Sequence, residues 1–282
     1  MSTSPGDRSS QRDRAASVHR QRGAVSRWLP LLSLLGWLLA WEALVRWAQI
    51  PHYTLPAPSL VVQTLVENFG SLSASWWFTL KITFGALALA CTGGALIAAV
   101  FALSAPLEAM LLPLAVVLQV TPIVAIAPLM LIYVESTTAA LLLCAWIVAF
   151  FPILSNTVMG LRAADPLLRD LFQLYRATPL QRLRLLLMPS ALPYFVAGLK
   201  VSGGLSLIGA VTAEMVAGAA GRETGLASRI LEASFRTETP KMFAALLLLV
   251  LTGLMIYVGS NALSRGLLSR WHAAEQRSGN TR

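Results

Sequence analysis

Several stretches of this sequence are apolar over roughly 20 consecutive residues, the length that an α-helix needs to cross a bilayer core of about 30 Å. Charged residues make up only 12% of the chain, whereas a typical globular domain has about 25%. The apolar runs are continuous and do not alternate with polar residues, which argues against a transmembrane β-barrel. The sequence therefore predicts an all-α polytopic membrane protein.

Six such spans can be placed along the chain, between a polar, arginine-rich N-terminal segment and a basic C-terminal one. The predicted spans cover residues 28–48, 77–103, 107–133, 138–160, 194–217 and 241–263. The predicted organisation is a disordered basic tail at 1–27, the first transmembrane helix at 28–48, an outer connection at 49–76, a core of five helices at 77–265 that includes the loop 161–193, and a tail at 266–282. Within the connection, Leu55-Pro56-Ala57-Pro58-Ser59 predicts an extended segment that leads into a short helix.

The first span has a competing interpretation as a cleaved signal peptide. The polar region before it is long, Glu42 and Arg46 lie where a cleavage site needs small residues, and no A-x-A sequence follows. Trp28 and Trp47 flank the run at positions typical of the membrane interface. A retained transmembrane helix is the favoured interpretation.

Lysine and arginine are distributed unevenly between the two sides of the predicted membrane. With the N-terminus inside, the inner segments hold fifteen of the 22 basic residues and the outer segments hold six. Because cytoplasmic loops are enriched in these residues, the distribution predicts that both termini and the loop 161–193 are cytoplasmic. The same loops account for the net charge of +9, so no nucleic-acid partner is expected.

The loop from Leu161 to Pro193 has two helix-start signals. Asp165-Pro166 places Asp at an N-cap and Pro at the first helical position. Thr178 and Gln181 have the capping-box spacing. The pattern predicts an amphipathic helix, a corner and a second helix that ends at Pro189, and this protrusion is either a docking element for a partner or a solvated connector. The apolar side of the first helix would hold Leu167, Leu168, Leu171, Phe172 and Tyr175, and its polar side Arg169, Asp170, Gln173 and Arg176.

The third span contains three prolines, Pro113, Pro122 and Pro128. Proline interrupts the helical hydrogen-bond ladder, and membrane helices tolerate this where neighbours or water satisfy the freed carbonyl. The span is therefore predicted to be kinked and packed inside the bundle, near a moving part or a pathway. Kinks that serve only packing are the alternative.

The fifth span combines small residues with charges. Glycines at 198, 203, 204 and 209 predict close contacts between helices. Lys200 lies near the inner end, where its side chain can reach the interface. Glu214 lies near the outer end and either lines a pathway or pairs with an outer basic residue such as Arg229.

The loop resembles the EAA loop of ABC-importer permeases, whose pattern is E-A-A-x₃-G-x₉-I-x-L-P. The spacing is preserved from Asp170 to Pro189: Asp170 stands for the Glu, Leu171 and Phe172 for the two Ala, Arg176 for the Gly, Leu186 for the Ile, and Met188-Pro189 for the Leu-Pro. Arg lacks the backbone freedom of Gly. The corner is therefore expected at Ala177-Thr178-Pro179, and Arg176 is expected to contact the partner.

Other segments resemble permeases of the nitrate/sulfonate/taurine group, over about residues 50–272. The matching stretches are Leu55–Ser59, Val120–Pro128, Leu192–Leu199 and Ile208–Gly218.

The resemblance implies a type I importer permease fold in the bacterial inner membrane. Two copies would form the pathway, two ATPase subunits would bind ATP below it, and a periplasmic binding protein would deliver a small solute from above. That solute would be a sulfonate, nitrate, taurine or a small heterocycle such as a pyrimidine precursor. The chain itself would have no catalytic site and no cofactor. The residues implied in coupling to the ATPase are Asp170, Leu171, Phe172, Tyr175, Arg176, Thr178, Pro179, Leu186 and Pro189, and the candidate pathway residues are Pro122, Pro128 and Glu214.

Two other function classes are less favoured. A secondary transporter or channel without an ATPase would be typified by inverted repeats and paired intramembrane charges, and the sequence has neither pattern. A membrane-embedded enzyme would need clustered reactive groups at depth, but the three histidines lie outside the spans. The two cysteines, Cys91 and Cys144, lie within apolar runs without metal-ligand spacing, which predicts buried apolar roles.

Overall fold

The computed structural model describes residue 29, residues 32–221 and residues 225–279, with side chains to residue 267. The predicted tail at 1–27, Trp28, Arg222, and the side chains of the C-terminal tail from residue 268 lie outside this part. Regular secondary structure within it is entirely helical. The helices are α1 (32–47), α2 (Pro58–Glu67), α3 (Phe69–Leu103), α4 (Ala105–Val120), α5 (Ile123–Tyr133), α6 (Thr137–Arg162), α7 (Pro166–Leu174), α8 (Pro179–Arg182), a π-helical turn (Leu183–Leu187), α9 (Met188–Ala219), α10 (Leu226–Phe235) and α11 (Thr239–Gly279).

Four of the described helical segments are long and apolar enough to cross a membrane: Phe69–Leu103, Thr137–Arg162, Pro179–Ala219 and Thr239–Leu267. The pair α4 and α5 adds a fifth if the two are counted as one bent span. The predicted first span lies partly outside the described residues. The polytopic helical class is confirmed, and the count of six spans stays a prediction.

Helices α6 and α9 lie side by side at the centre of the molecule, with α3 packed along both. Small residues allow this contact. A Cβ added at Gly198 would come within 2.8 Å of the Pro152 carbonyl oxygen, and the hydroxyl of Ser202 donates to the Ala149 carbonyl at 2.6 Å. The predicted close packing of this glycine-bearing span is therefore confirmed, although Gly204 has no neighbour within 4 Å.

The predicted third span is broken rather than kinked. Helices α4 and α5 meet at an angle of 100° around Thr121 and Pro122. Proline disfavours the helical conformation in the residue before it, and Thr121 is extended, with ψ 124°. The expectation that this segment packs inside the bundle is wrong for α4, which has no buried residue within the single chain.

The second helix of the loop also departs from expectation, because Pro189 does not end it. The π-helical turn joins α8 to α9, so helical structure continues from Pro179 to Ala219. Within the turn the Met188 N–H donates to the carbonyl of Leu183, five residues back. This shift in register precedes Pro189, which has no N–H to donate and lies in the first turn of α9, where proline is tolerated.

The outer connection is tied to α1 by a carboxylate. Glu42 accepts hydrogen bonds from the Ser59 N–H at 3.0 Å and the Ser59 hydroxyl at 2.8 Å, and Arg46 donates to it at 2.6 Å. The short helix predicted after Pro58 is confirmed as α2. Its N-terminal N–H groups have no partner on their own helix, and here a side chain from α1 satisfies one of them.

Different helices form the two ends of the molecule. The loop end comprises α7, α8, the C-terminal ends of α3 and α6 and the start of α4. The α10 end comprises α2, α10, the C-terminal end of α9 and the starts of α3 and α11. Each end contains one of the candidate functional sites.

Candidate functional sites at the two ends of the core

Helix α7 is bounded by strong local signals at both ends. At its start, the Asp165 carboxylate accepts the Leu167 N–H at 2.8 Å, which confirms the predicted N-cap. At its end, the Ala177 N–H donates to the Phe172 carbonyl and the Arg176 N–H to the Gln173 carbonyl, both at 2.9 Å. These two bonds define a Schellman motif, which needs a left-handed residue just after the helix.

Arg176 is that left-handed residue, with φ 50°. The expectation that Arg176 lies outside the bend is wrong, because Arg176 itself forms the corner. Glycine is the usual residue at this position of the motif, which explains in physical terms why the permease pattern has Gly at this spacing.

The second helix of the loop starts as predicted. The Thr178 hydroxyl accepts the Gln181 N–H at 3.3 Å, and the Gln181 side chain accepts the Thr178 N–H at 2.8 Å. This reciprocal capping box and Pro179 in the first turn give α8 a fixed starting point. Further along, Leu186 is buried and Pro189 is half-buried, so these two coupling candidates belong to the base of the loop and not to its surface.

The face of α7 that meets the protein includes part of its polar side. Arg169 donates to the carbonyls of Leu161 at 2.9 Å and Arg162 at 2.7 Å, and thereby caps the C-terminal end of α6. Phe172, which was expected on the docking side, is half-buried against the core. These contacts hold α7 against the bundle.

The opposite face of α7 is apolar and exposed. Leu167, Leu174 and Tyr175 are 77%, 80% and 78% exposed, and Leu171 is also exposed. Asp170, Arg176 and Thr178 are exposed beside them. We call Leu167, Leu171, Leu174 and Tyr175 the α7 patch. Apolar side chains turned outward on a fixed helix are typical of a surface that a partner covers.

At the α10 end, Glu214 lies at the centre of a buried polar network. Its side chain is fully buried, and its Oε2 accepts the Ala227 N–H and the Thr79 hydroxyl, both at 3.1 Å. The Thr79 hydroxyl in turn accepts the Leu226 N–H at 2.9 Å. Side chains from α9 and α3 thus satisfy the first two N–H groups of α10, and the carboxylate lies at the positive end of its helix dipole.

Gly225 is the N-cap of α10 and lies directly against this network. A Cβ added there would overlap the Glu214 carboxylate and the Thr79 hydroxyl. Its φ of −102° is accessible to any residue, so glycine is needed here for space and not for backbone conformation.

The charged outer face of α10 is a separate feature. Glu232 forms ion pairs with Arg229 at 2.8 Å and with Arg236 at 2.9 Å. The hydrogen bond from Arg229 is the largest effect and holds the pKa of Glu232 below its usual value; burial opposes it, and the nearby charges of Arg229, Arg236 and Lys241 reinforce it. Charged residues of α10 are therefore paired with one another along the helix.

The candidate pathway residues are not brought together. Pro122 and Pro128 are exposed, at the N-cap and in the interior of α5, whereas Glu214 is buried in its network. Within the described part of the chain Glu214 forms no ion pair with Arg229: its Oε2 accepts from Thr79 and Ala227, and its Oε1 has no hydrogen-bond partner. The role of Pro122, Pro128 and Glu214 in transport stays a prediction.

Sequence reasoning missed Thr79, Gly225 and Arg169. Thr79 lies 135 residues from Glu214, so no local pattern connects them. The structural role of Arg169 was hidden because it was assigned to the solvent side of α7. Glu214 was the one available signal, since a carboxylate in an apolar span needs partners.

Comparisons with known proteins are consistent across sequence and fold. Residues 90–269 match the family described as binding-protein-dependent transport system inner membrane component. The riboflavin transport system permease protein RibX of Chloroflexus aurantiacus is 32% identical over 86% of this chain and 90% of its own length. The formylaminopyrimidine transport permease protein ThiX of Halalkalibacterium halodurans is 30% identical over 85% of this chain and 94% of its own.

Among solved structures, an inward-facing conformation of the MetNI methionine ABC transporter has a similar fold. The TM-score is 0.58 at 18% identity, and the match covers 70% of this chain and 95% of that chain.

Proposed function

Because the chain belongs to the family of binding-protein-dependent transport system inner membrane components, we propose that its α7 patch is the surface through which a partner ATPase drives transport. The chain is a permease subunit of an ABC importer for a small solute, and it is a multi-pass component of the inner membrane. Permeases of this family work with an ATPase and a substrate-binding protein.

The observation that supports this role most directly is the orientation of α7. Its leucines face away from the protein while Arg169 and Phe172 hold the helix in place. A soluble connector would turn the same leucines inward, since burying each one stabilises the fold by about 1.5–3 kcal/mol. The exposed patch is thus suited to a hydrophobic groove on a partner.

We propose that the loop end faces the cytoplasm. The arginines of the loop and of both terminal segments support this orientation. In that arrangement six spans place both termini inside, ATP is bound by the partner and not by this chain, and the α10 end faces the periplasm, where the binding protein delivers the solute.

A second permease copy is the proposed neighbour of α4 and α5. Val117 and Val120 are among the most exposed apolar residues of α4, and α4 buries no residue within the single chain. A homodimer would cover this surface and place Pro122 and Pro128 close to the pathway. Glu214 would act at the outer end of that pathway by holding α10.

The proposed cargo is a small nitrogen heterocycle. Two relatives at 30% identity or more are named as permeases for riboflavin and formylaminopyrimidine. Aliphatic sulfonates and taurine, named for relatives at 26% and 23% identity, are the second candidate class. Competition of both classes for uptake of a labelled pyrimidine by cells that express the complete importer distinguishes them.

Coupling is tested by replacing Leu167, Leu171 and Leu174 with serine. We expect the variant to lose co-purification with the ATPase and ATP-driven uptake, while its thermal unfolding in detergent stays unchanged because these side chains are exposed. The matched control replaces Val66 and Phe235 with serine; these residues are also strongly exposed but lie at the α10 end.

Two results would contradict the proposal. Normal ATPase binding by the triple variant would remove the α7 patch from coupling. Uptake that survives ATP depletion and collapses with the ion gradient would instead identify an ATP-independent secondary transporter or channel.

A further inference from the structure

A cavity of about 400 Å³ lies at the loop end, behind α7. Its walls come from the ends of α3 and α6, the start of α4, α7 and the α8–α9 junction. Its lining combines apolar residues, such as Phe101 and Val158, with the charged residues Arg162, Arg169, Arg182 and Glu108. The α7 patch faces the opposite direction, so the cavity is separate from the proposed ATPase surface.

The charges around this cavity are not balanced. Glu108 pairs with Arg162, which leaves two further guanidinium groups without a carboxylate. Arg169 uses one of its terminal nitrogens on backbone carbonyls, and its Nε is buried without a partner. Among the described residues, the Arg182 guanidinium has no hydrogen-bond or ion-pair partner. Three cations and one carboxylate therefore surround a space that favours an anion with several acceptor oxygens.

The cavity continues into an apolar groove between α4 and α6. Two adjoining hollows, of about 320 Å³ and 270 Å³, share Arg162 with the cavity. Their walls include Leu112, Val116, Phe151 and Met159. A free phosphate would need only the arginines, whereas the groove adds an apolar surface that starts at the same charged point.

The position along the membrane normal fits a lipid. Arg162 is the last residue of α6, whose 26 residues span about 39 Å at 1.5 Å per residue. This exceeds the hydrocarbon core of about 30 Å, so Arg162 lies at the level of the headgroups. Basic pockets between helices at this depth suit anionic lipid headgroups.

We infer that the cavity and groove bind one anionic phospholipid. Its phosphate lies among Arg162, Arg169 and Arg182, and one acyl chain lies along Val116 and Met159 in the groove. Arg169 also fixes α7 to α6, so a lipid bound to it contributes to the position of the loop. This site does not depend on the proposed ATPase docking, and it can be tested on the full-length chain alone.

The test measures the thermal unfolding midpoint of the purified full-length chain in detergent as dioleoylphosphatidylglycerol is added, with dioleoylphosphatidylcholine as the neutral reference. We expect the anionic lipid to raise the midpoint in a saturable way and the neutral lipid to have little effect. Arg182→Gln should weaken the apparent affinity about tenfold, the loss expected for one charge-assisted contact. Arg184→Gln is the matched control, because Arg184 is exposed on the same turn and lies outside the cavity.

A second variant tests the groove. Val116 is partly exposed, so Val116→Trp should fold normally and weaken binding of the anionic lipid by blocking the acyl chain.

Equal loss in Arg182→Gln and Arg184→Gln would indicate general surface attraction and overturn the site. An equal midpoint shift from inorganic phosphate would identify an anion site without a lipid. Unchanged lipid binding in Val116→Trp with loss of the dimer would assign the groove to a second copy instead.

Discussion

The α10 end and the loop end of this permease place their polar and apolar side chains in opposite ways. At the α10 end, polar groups lie inside the protein and bond to one another: Glu214 Oε2, Thr79 and the N-terminus of α10 form a buried network, in which Glu214 Oε1 has no hydrogen-bond partner among the described residues. At the loop end, apolar side chains of α7 are exposed to different degrees in the described part of the chain. The first arrangement satisfies the start of α10 within one chain, whereas the second leaves an apolar surface exposed for the proposed partner.

Mutations at the two ends should therefore have different effects. A change in the buried network should lower the stability of the isolated chain, because a buried polar group that loses its partner costs about 1–3 kcal/mol. A change on the α7 patch should leave stability unchanged and affect assembly. Four sets of variants test this distinction.

The largest effect is expected at Gly225. Gly225→Val places methyl groups where the Glu214 carboxylate and the Thr79 hydroxyl lie, so the start of α10 must move and its two bonds to those side chains are lost. We expect a loss of more than about 3 kcal/mol in the free energy of unfolding, measured by thermal unfolding in detergent. Gly204→Ala is the control, since Gly204 faces open space and should change stability by less than about 1 kcal/mol. Equal destabilisation in both variants would show that the loss of stability does not come from the contacts of Gly225 with Glu214 and Thr79.

Glu214→Leu should have the next largest effect. Leucine keeps an apolar shape but removes the acceptor of the Ala227 N–H and a partner of the Thr79 hydroxyl. We expect a cost of about 2–4 kcal/mol and greater exposure of α10, measured by the reactivity of a cysteine introduced at Ser228, which is buried. Glu214→Gln retains an acceptor oxygen and should cost less. If leucine were tolerated as well as glutamine, the hydrogen bonds would not hold α10.

The same backbone motif occurs at both ends and allows a direct comparison. Thr237, like Arg176, has a positive φ, here 60°, and follows a helix in a Schellman motif: Glu238 N–H donates to the Ala233 carbonyl at 2.9 Å. Each left-handed residue costs about 1–2 kcal/mol in strain. Arg176→Gly and Thr237→Gly should therefore each stabilise the chain by about 1 kcal/mol in thermal unfolding.

Only the loop-end variant should also change assembly. The Arg176 side chain is exposed beside the α7 patch, so Arg176→Gly is expected to weaken ATPase binding while Thr237→Gly leaves it intact. An unchanged ATPase affinity in Arg176→Gly would show that this side chain makes no contact with the partner, without affecting the role of the patch.

The smallest effect concerns pH at the surface of the α10 end. Because Arg229 lowers the pKa of Glu232 in the folded chain, the ionised carboxylate stabilises the fold at any pH above its unfolded pKa of about 4.3. That contribution disappears as the pH falls through the lower, folded-state pKa. Glu232→Gln should cost about 0.5 kcal/mol at pH 7 and nothing at pH values below the folded-state pKa. A difference that persisted under acid conditions would point to packing rather than charge.

Structural features that depend only on residues close together in the sequence were predicted well. The caps at Asp165 and Thr178 and the start of α2 follow from residues within four positions of one another, so their sequence patterns are sufficient. The long spans follow from hydropathy alone. The α7 patch was predicted in part, because helical periodicity gives an apolar face but does not determine which face meets the protein.

Other features depend on distant contacts or on subtle backbone energetics. The partners of Glu214 lie on α3 and α10, and single-sequence patterns do not connect them. The break at Pro122 and the continuous helix through Pro189 show that two prolines in similar apolar contexts have opposite outcomes. At Pro189 the π-helical turn shifts the hydrogen-bond register before the proline, and at Pro122 the preceding Thr121 becomes extended instead.

The π-helical turn has a mechanical consequence. Because it keeps α8 and α9 in one helical segment from Pro179 to Ala219, the corner at Arg176 and the carboxylate of Glu214 lie near opposite ends of one continuous helix. Glu214 lies 35 positions after Pro179, a rise of about 50 Å, so a tilt of about 5° about the Pro179 end displaces the Glu214 end by about 4 Å. That distance exceeds the reach of a hydrogen bond. If the loop is coupled to an ATPase as proposed, a small rocking of the loop would therefore be geometrically sufficient to release the start of α10 at the other end of the helix.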